Sequence, residues 1–269
     1  MFTATAPDGS EIQAADEGTG PTLLILHPGL DDGGTWAPVA ALLADRYRVL
    51  RLHRRPYRLD LPTPITIADE VDDAMALADA IPGPKVIVGH SSGGVVALEA
   101  LVRAPGRFVG AVIYEPPVVI GPPLGGVAYT QAQAAIAAGR PGLAMRIFLR
   151  DIVQVPPWLA GVAGVFVAII PRLRRWAPRQ VAEVGAIDAL GCRLDAYAAI
   201  AEPVVLLGGD ASPAHLGARL DALAQALPHA ERVTLTGQGH DAQRRAPAAV
   251  AKVIDKLADR VLWKGAERA

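Results

Sequence analysis

Cysteine is nearly absent: Cys192 is the single thiol in 269 residues. That excludes an internal disulfide and a multi-thiolate metal site. Aromatic residues make up only 5% of the chain, so Ala, Val and Leu must supply most of any core. No charge excess exists either. The 26 Lys and Arg against 27 Asp and Glu leave a formal net charge of −1, whereas a surface that tracks nucleic-acid phosphates needs a clear basic excess. No nucleic-acid partner is expected. Arginine greatly outnumbers lysine but is scattered along the chain, which points to compositional bias. Met1 to Gly9 show no basic start and no apolar stretch, so a secretory signal is not expected. Also missing is an apolar run of spanning length. The greasiest segment, Trp158 to Ile170, has thirteen residues between Pro157 and Pro171. As a helix it reaches roughly 20 Å, short of the ~30 Å hydrocarbon core. Stable membrane insertion is therefore not expected, and a cytoplasmic protein is. What the chain has in excess is apolar residues, 51%, which rules out a disordered polypeptide.

The order of patterns along the chain indicates how that excess is used. Asp8-Gly9 suits the turn of an N-terminal hairpin. Thr22 to Leu26 is a buried-strand run that breaks into the glycine-rich stretch His27-Pro28-Gly29-Leu30-Asp31-Asp32-Gly33-Gly34. Trp36 to Ala44 suits a helix and Tyr47 to Leu52 a strand. Ile67, Val71, Met75 and Ala78 recur at helical spacing up to Pro82-Gly83-Pro84. Lys85 to Val88 and Val109 to Tyr114 are short apolar strands of the kind found in parallel sheets, separated by a helix over Val95 to Val102. After Pro116 the pattern turns helical and Pro-punctuated until about Ala199. A strand then returns at Pro203 to Leu207, followed by a helix near Ala214 to Ala226, a strand over Glu231 to Leu235 and a last helix from Pro247. The alternation predicts an α/β fold, a mostly parallel sheet with helices on both faces, interrupted by roughly 80 helical residues over the C-terminal ends of the strands.

Serine is scarce too, with four in the chain, yet two of them stand in Gly89-His90-Ser91-Ser92-Gly93. This matches G-x-S-x-G with a strand before it and a helix after it, the context in which the motif has meaning. Random placement would give about 0.04 matches. A serine at the tip of so tight a turn needs glycine two residues to either side, because a Cβ there would clash. The turn strains Ser91 and lifts its hydroxyl above the sheet edge, while the helix N-terminus aims the Ser92 N–H at the site. Such a hydroxyl needs a base, and imidazole suits neutral pH. Of six histidines, His240 in Gly237-Gln238-Gly239-His240-Asp241 follows the last predicted strand and falls at the active edge of the sheet.

These residues together give a chain that resembles the α/β-hydrolase superfamily over nearly its whole length. The resemblance rests on the His27-Pro28-Gly29 loop with Trp36 beyond it, the elbow at Ser91, and Gly239-His240 near the end. It implies a Ser–His–acid triad, a two-point backbone oxyanion hole and a variable helical cap. The core would comprise residues 1–116 and 200–269, and the cap 117–199. The family has His-Gly where this chain has His27-Pro28; counting along the motif makes Gly29, which keeps its N–H, the oxyanion donor beside Ser92. Two carboxylates compete for the acid. Asp210, in Gly208-Gly209-Asp210, stands one residue early for the family's usual G-x-x-D loop. Glu115 ends the strand before the insertion, similar to some haloalkane dehalogenases, and is favoured. Relatives that use an aspartate at the elbow are excluded by Ser91, which implies an acyl-enzyme.

The resemblance therefore implies a serine hydrolase of the carboxylesterase type, acting on a small apolar ester, thioester or lactone. Carbon–carbon bond hydrolysis by the same triad and a non-catalytic small-ligand binding protein are the alternatives. No cofactor or metal is called for, and no oligomeric state is specified. Trp36 and Trp158 are the substrate-facing candidates. For Trp158 to Ile170, three readings compete: a cap helix packed on the core, the apolar wall of an acyl pocket, and an interfacial helix.

Overall fold

A computed structural model describes residues 1–262; residues 263–269 of the expected second core segment lie outside the described residues. The chain opens with β1 (Phe2–Thr5), β2 (Glu11–Glu17) and β3 (Thr22–Leu26). A 3-10 turn at Gly34–Trp36 leads into α1 (Ala37–Leu43), then β4 (Arg48–Leu52), a 3-10 turn at Arg55–Tyr57, and α2 (Ile67–Asp79). Next come β5 (Lys85–His90), α3 (Ser92–Arg103) and β6 (Gly110–Tyr114). Five helices follow: α4 (Gly126–Ala137), α5 (Pro141–Ile147), α6 (Pro157–Ile169), α7 (Pro171–Leu190) and α8 (Leu194–Tyr197), with a π-helical turn at Phe148–Ile152. The sheet resumes with β7 (Val204–Gly209), α9 (Ala214–Ala226) and β8 (Ala230–Leu235), and α10 (Ala242–Arg245) and α11 (Pro247–Leu262) close the described chain.

The eight strands form one sheet in the order β1-β2-β4-β3-β5-β6-β7-β8. Only the pairs made by β2 are antiparallel; every pair from β4 to β8 is parallel. Side chains alternate between two cores. Leu24, Leu26, Leu50, Ile87, Ile113 and Leu206 face α2, α3 and α9. Their neighbours Leu23, Ile25, Val49, Val86, Val112 and Leu207 face α1 and α11. A strand with both faces covered must be apolar at every position, which is why these runs do not alternate with polar residues. The expected α/β architecture, a mostly parallel sheet with helices on both faces, is the one present.

Local chemistry sets the element ends. Thr66 caps α2 in a reciprocal box: its hydroxyl accepts from Asp69 N–H while the Asp69 carboxylate accepts from Thr66 N–H. Strand limits match expectation within one or two residues, and the unforeseen α10 follows directly on His240. The five inserted helices between β6 and β7 join the core at two places: α8 packs on α3 and α9, with Tyr197 O–H donating to Glu99 at 2.8 Å, and α7 lies on the segment after β4. Trp176 Nε1 donates to Tyr57 O at 2.9 Å and Arg179 Nη2 to Leu61 O at 2.8 Å. Among the described residues no single helix is long and apolar enough to cross a membrane.

Because both faces are covered, Leu24→Ala and Ile25→Ala are each expected to lower unfolding free energy by about 2–5 kcal/mol. Thr234→Ala, exposed on edge strand β8, should change it by no more than about 0.5 kcal/mol. Chemical denaturation of the three variants checks this; a large loss at only one of the two β3 positions would mean that one face is open.

Candidate active site

Ser91 is the single residue between β5 and α3, and its backbone sits at φ 54°, ψ −126°. The turn is possible only with glycine on both sides. A Cβ on Gly89 would lie 2.5 Å from Gly93 O, and one on Gly93 would lie 2.4 Å from Leu26 O. Leu30 (φ 53°) and Glu115 (φ 43°) also hold left-handed backbone. These three residues follow β3, β5 and β6, so strain of about 1–3 kcal/mol apiece collects at one edge of the sheet.

His240 reaches the same edge from the loop between β8 and α10. Its Nδ1 donates to Glu115 Oε2 at 2.6 Å. Glu115 is buried and also accepts from Gly209 N–H at 2.8 Å. Burial pushes the Glu115 carboxyl up, but the hydrogen bond and charge of His240 outweigh it and hold the group below the usual glutamate range. The half-buried imidazole lies 4.7 Å, centroid to centroid, from the ring of His90, beside Ser91. His90 in turn stacks on Tyr114 at 4.3 Å. Burial, then the neighbouring His240, pushes His90 well below the usual histidine range, so it stays neutral. Ser91 Oγ and His240 are not hydrogen-bonded to each other among the described residues; such pairs are commonly looser without substrate.

Three expected site residues lie elsewhere. The Asp210 carboxylate is exposed and accepts from Gly237 N–H at 2.6 Å. It ties down the loop that leads to His240 without touching the imidazole. Trp36 is fully buried on the α1 and α11 side of the sheet, where its ring packs edge-on against His90 at 5.7 Å, one residue from Ser91. Trp158 is 70% exposed on α6, facing solvent. Trp36 thus backs the His90–Ser91 turn from a position closed to solvent.

The two expected N–H donors are unengaged: among the described residues neither Gly29 N–H nor Ser92 N–H has a protein acceptor. His27 Nδ1 donates to Pro28 O at 2.8 Å, and His27 Nε2 accepts from Arg54 N–H at 3.1 Å. The Pro28 carbonyl and the Gly29 N–H belong to one planar trans peptide, so pinning the carbonyl fixes the direction of the N–H. Burial pushes His27 well below the usual histidine range, in keeping with a neutral ring that donates at one nitrogen and accepts at the other.

Behind this loop lies a cluster that the sequence reasoning missed. Arg54, 1% exposed, donates from Nη1 to Ser92 Oγ at 2.9 Å and to His27 O at 2.8 Å. Its Nε and Nη2 make a bidentate pair with Glu70 of α2, at 2.8 and 2.9 Å, and Nη2 reaches Glu183 of α7 at 2.5 Å. Tyr57 O–H is 2.9 Å from Gln180 Oε1 and 2.8 Å from Glu183 Oε2, and the Gln180 amide lies so close to Gly29 that no Cβ would fit there. One signal was available. Glu70 shares a helical face with Ile67, Val71 and Ala74, an acid on the buried side of α2. A second omission is Tyr114: its hydroxyl donates to Gly239 O and accepts from Ala242 N–H at 3.1 Å, so it brackets His240 from both sides.

The fold is that of the α/β hydrolases, and the chain belongs to that family: the model of the alpha/beta hydrolase family matches residues 23–253. The chain is similar to the 2-(acetamidomethylene)succinate hydrolase of Mesorhizobium japonicum, 26% identical over 266 residues, covering 92% of this chain and 91% of that protein. Among solved structures it resembles an alpha/beta hydrolase from Sphaerobacter thermophilus, with TM-score 0.79, 28% identity, and 95% and 99% of the two chains covered. A thermophilic esterase from Thermogutta terrifontis shares the fold at TM-score 0.76 and 21% identity, with 97% and 98% covered.

The Arg54 cluster sets one guanidinium against two carboxylates in a buried space. Burial, reinforced by Glu183, pushes the Glu70 carboxyl up to about 8 against the pull of Arg54. The folded protein thus keeps a proton on Glu70 that the unfolded chain, with an ordinary glutamate, has released. Stability from this group is present at acidic pH and is lost as pH rises toward 8. Thermal melts between pH 5 and pH 8 should show the Tm of Glu70→Gln gaining on wild type as pH rises, since the buried neutral His27 and His90 tilt the slope of both proteins the opposite way and cancel in the comparison. A Tm difference unchanged with pH would refute the assignment of the proton to Glu70.

Proposed function

We propose that the protein is a serine hydrolase that cleaves a carboxylic ester, thioester or lactone through an acyl-enzyme on Ser91. The observation that carries this reading is the convergence of a strained Ser91 and a bonded His240–Glu115 pair at one sheet edge. In the first half-reaction Ser91 Oγ attacks the carbonyl carbon while His240 Nε2 takes its proton. The Gly29 and Ser92 N–H groups receive the oxyanion. Collapse of the tetrahedral intermediate breaks the bond to the leaving group, which takes the proton back from His240. Water, deprotonated by the same nitrogen, then attacks the acyl-enzyme; the bond from the acyl carbon to Ser91 Oγ breaks, His240 returns the proton to that oxygen, and the acid leaves. Glu115 keeps the imidazole in the Nδ1–H tautomer and stabilises the imidazolium; Asp210 has no part in the step.

The inserted helices, residues 117–199, act in this reading as a cap. Beside Gly29, the partly buried Leu30, Phe148, Leu149 and Leu173 pack around Met145, Val167 and Ala177. Their apolar side chains supply the acyl-binding wall that Trp36 and Trp158 do not. A small apolar ester is therefore the substrate class, and a cytoplasmic setting goes with it. The relative from Mesorhizobium japonicum is named for hydrolysis of a substituted succinate, which supports hydrolysis as the reaction and leaves the acyl group to this chain's own wall.

A fluorophosphonate probe should label wild-type protein and leave folded Ser91→Ala unlabelled. On p-nitrophenyl esters, Glu115→Ala should lower kcat by about 10³–10⁴-fold, while Asp210→Ala changes it little. Failure of the probe to label folded wild-type protein would sink the nucleophile. Labelling without ester turnover across a chain-length panel would favour carbon–carbon bond hydrolysis. Tyr114→Phe removes the hydroxyl that brackets His240 and should lower kcat by about 10–100-fold with KM unchanged; an unaltered kcat would show that the loop holds its place without it.

A further inference from the structure

Helix α6 is apolar all round, with its small residues inside and its large ones outside. Its buried positions are Ala160, Gly164 and Val167, and Gly164 lies against Gly142 of α5. The large apolar side chains point outward: Trp158 is 70% exposed, Val165 62%, Phe166 51% and Ile169 64%. Positions 158, 162, 165 and 169 fall within one narrow stripe at the helical period. A core-packing helix would turn these residues inward and leave the small ones out. Exposed apolar side chains gathered on one helix mark an interaction face.

The charge around the stripe identifies what the face meets. Residues 140–182 hold seven arginines and one acid, Asp151, and Asp151 is already paired with Arg150 at 2.6 Å. Arg174 and Arg175 are exposed at the corner where α7 leaves α6 at 117°, next to Arg172, which pairs with Asp32 at 2.6 Å and lies over the Trp176 ring, and exposed Arg146 lies beside Gly164. The whole chain carries a formal charge of −1, so this basic region is a strong local departure. It also argues against a second copy, because a two-fold contact sets a patch against itself and this one would bring Arg174 and Arg175 against their own copies, the nearby Asp32 being already paired with Arg172.

We propose that the outer face of α6, flanked at its C-terminal corner by the exposed Arg174 and Arg175 and along one side by Arg146, docks the protein on an anionic lipid bilayer. The stripe enters the headgroup–acyl boundary and the arginines bind lipid phosphates, as an interfacial helix does without spanning. The inner side of the same helix, at Val167, belongs to the cluster that contains Leu30. Docking therefore places the bilayer one helix away from the loop that carries Gly29, a position suited to taking up apolar substrate from lipid. The proposal goes beyond the hydrolase reading, and its test needs no substrate.

Full-length protein is floated with vesicles of phosphatidylcholine alone and with vesicles of equal parts phosphatidylcholine and phosphatidylglycerol. Binding is expected to the anionic vesicles, weakened by salt, with a blue shift of tryptophan emission that Trp158→Phe removes. The double variant Val165→Glu/Ile169→Glu, at two exposed positions, should keep its melting temperature and lose vesicle binding by at least about tenfold. Replacing Arg174 and Arg175 by Gln should cost about fivefold per arginine on anionic vesicles only. No binding by folded protein, or equal binding to both vesicle types, overturns the proposal. So does a concentration-dependent dimer in sedimentation velocity that the double variant abolishes, since α6 would then be a self-association face.

Discussion

A buried guanidinium holds together the parts of the molecule that meet at the site. Arg54 follows β4, yet it grips α2 through Glu70, α7 through Glu183, the loop after β3 through His27 O, and the start of α3 through Ser92 Oγ. A lone charge so deep in the protein would be prohibitively costly; it is tolerated because each donor nitrogen has an oxygen acceptor in good geometry. The same logic makes the cluster intolerant of partial loss, since removing one partner leaves an uncompensated buried charge. Arg54 ties the inserted helices to the two backbone segments that carry the unengaged N–H groups of Gly29 and Ser92. The position of α7 and the shape of that loop are therefore one structural variable.

Around this anchor the sheet edge is held under strain. Leu30, Ser91 and Glu115 all occupy left-handed backbone although none is glycine, and each is over-determined by its surroundings. Ser91 N–H donates to Tyr114 O at 2.8 Å, and Glu115 N–H to Leu207 O at 3.1 Å, so each strand's end is registered on the next. Gly89 and Gly93 allow the close approach that the turn at Ser91 demands. Tyr114 completes the set by fixing the His240 loop to β6. The His240–Glu115 bond thus joins two groups that are each anchored by backbone, the condition for a preorganised pair.

Much of this was legible in the sequence because it depends on local chemistry. Strands with both faces covered announce themselves as unbroken apolar runs, and the elbow declares itself through glycines that flank Ser91 at fixed distances. Glu115 against Asp210 was harder, because both follow strands that end at the same edge and only the direction of the side chain separates them. Asp210 turns to Gly237 instead of His240. Trp36 was hard for a similar reason: its place beyond the glycine loop put it beside the site, against His90, without showing that it is fully buried there. The Arg54 cluster joins residues 16 and 129 positions apart, a relation that no periodicity encodes.

The scattered arginines and the greasy segment show a further limit of reading along the chain. Composition counts apolar residues without saying which way they point, and Trp158 to Ile170 is apolar on every side. The informative contrast is size: alanine and glycine lie on the inner face of α6, tryptophan, phenylalanine, valine and isoleucine on the outer. Small inner residues let α6 approach α5 closely at Gly142 and Gly164, so the helix is held by backbone proximity and does not need its large side chains for packing. Those side chains are left free for an external surface. Arginines that look dispersed in the sequence come together there, because α5 brings Arg146 alongside Gly164 and α7 brings the 172–175 turn to the C-terminal end of the same helix. Since α6 and α7 share Ile170 as a corner, and α7 carries Gln180 and Glu183, the outer surface and the loop at Gly29 are joined by a single continuous rigid path.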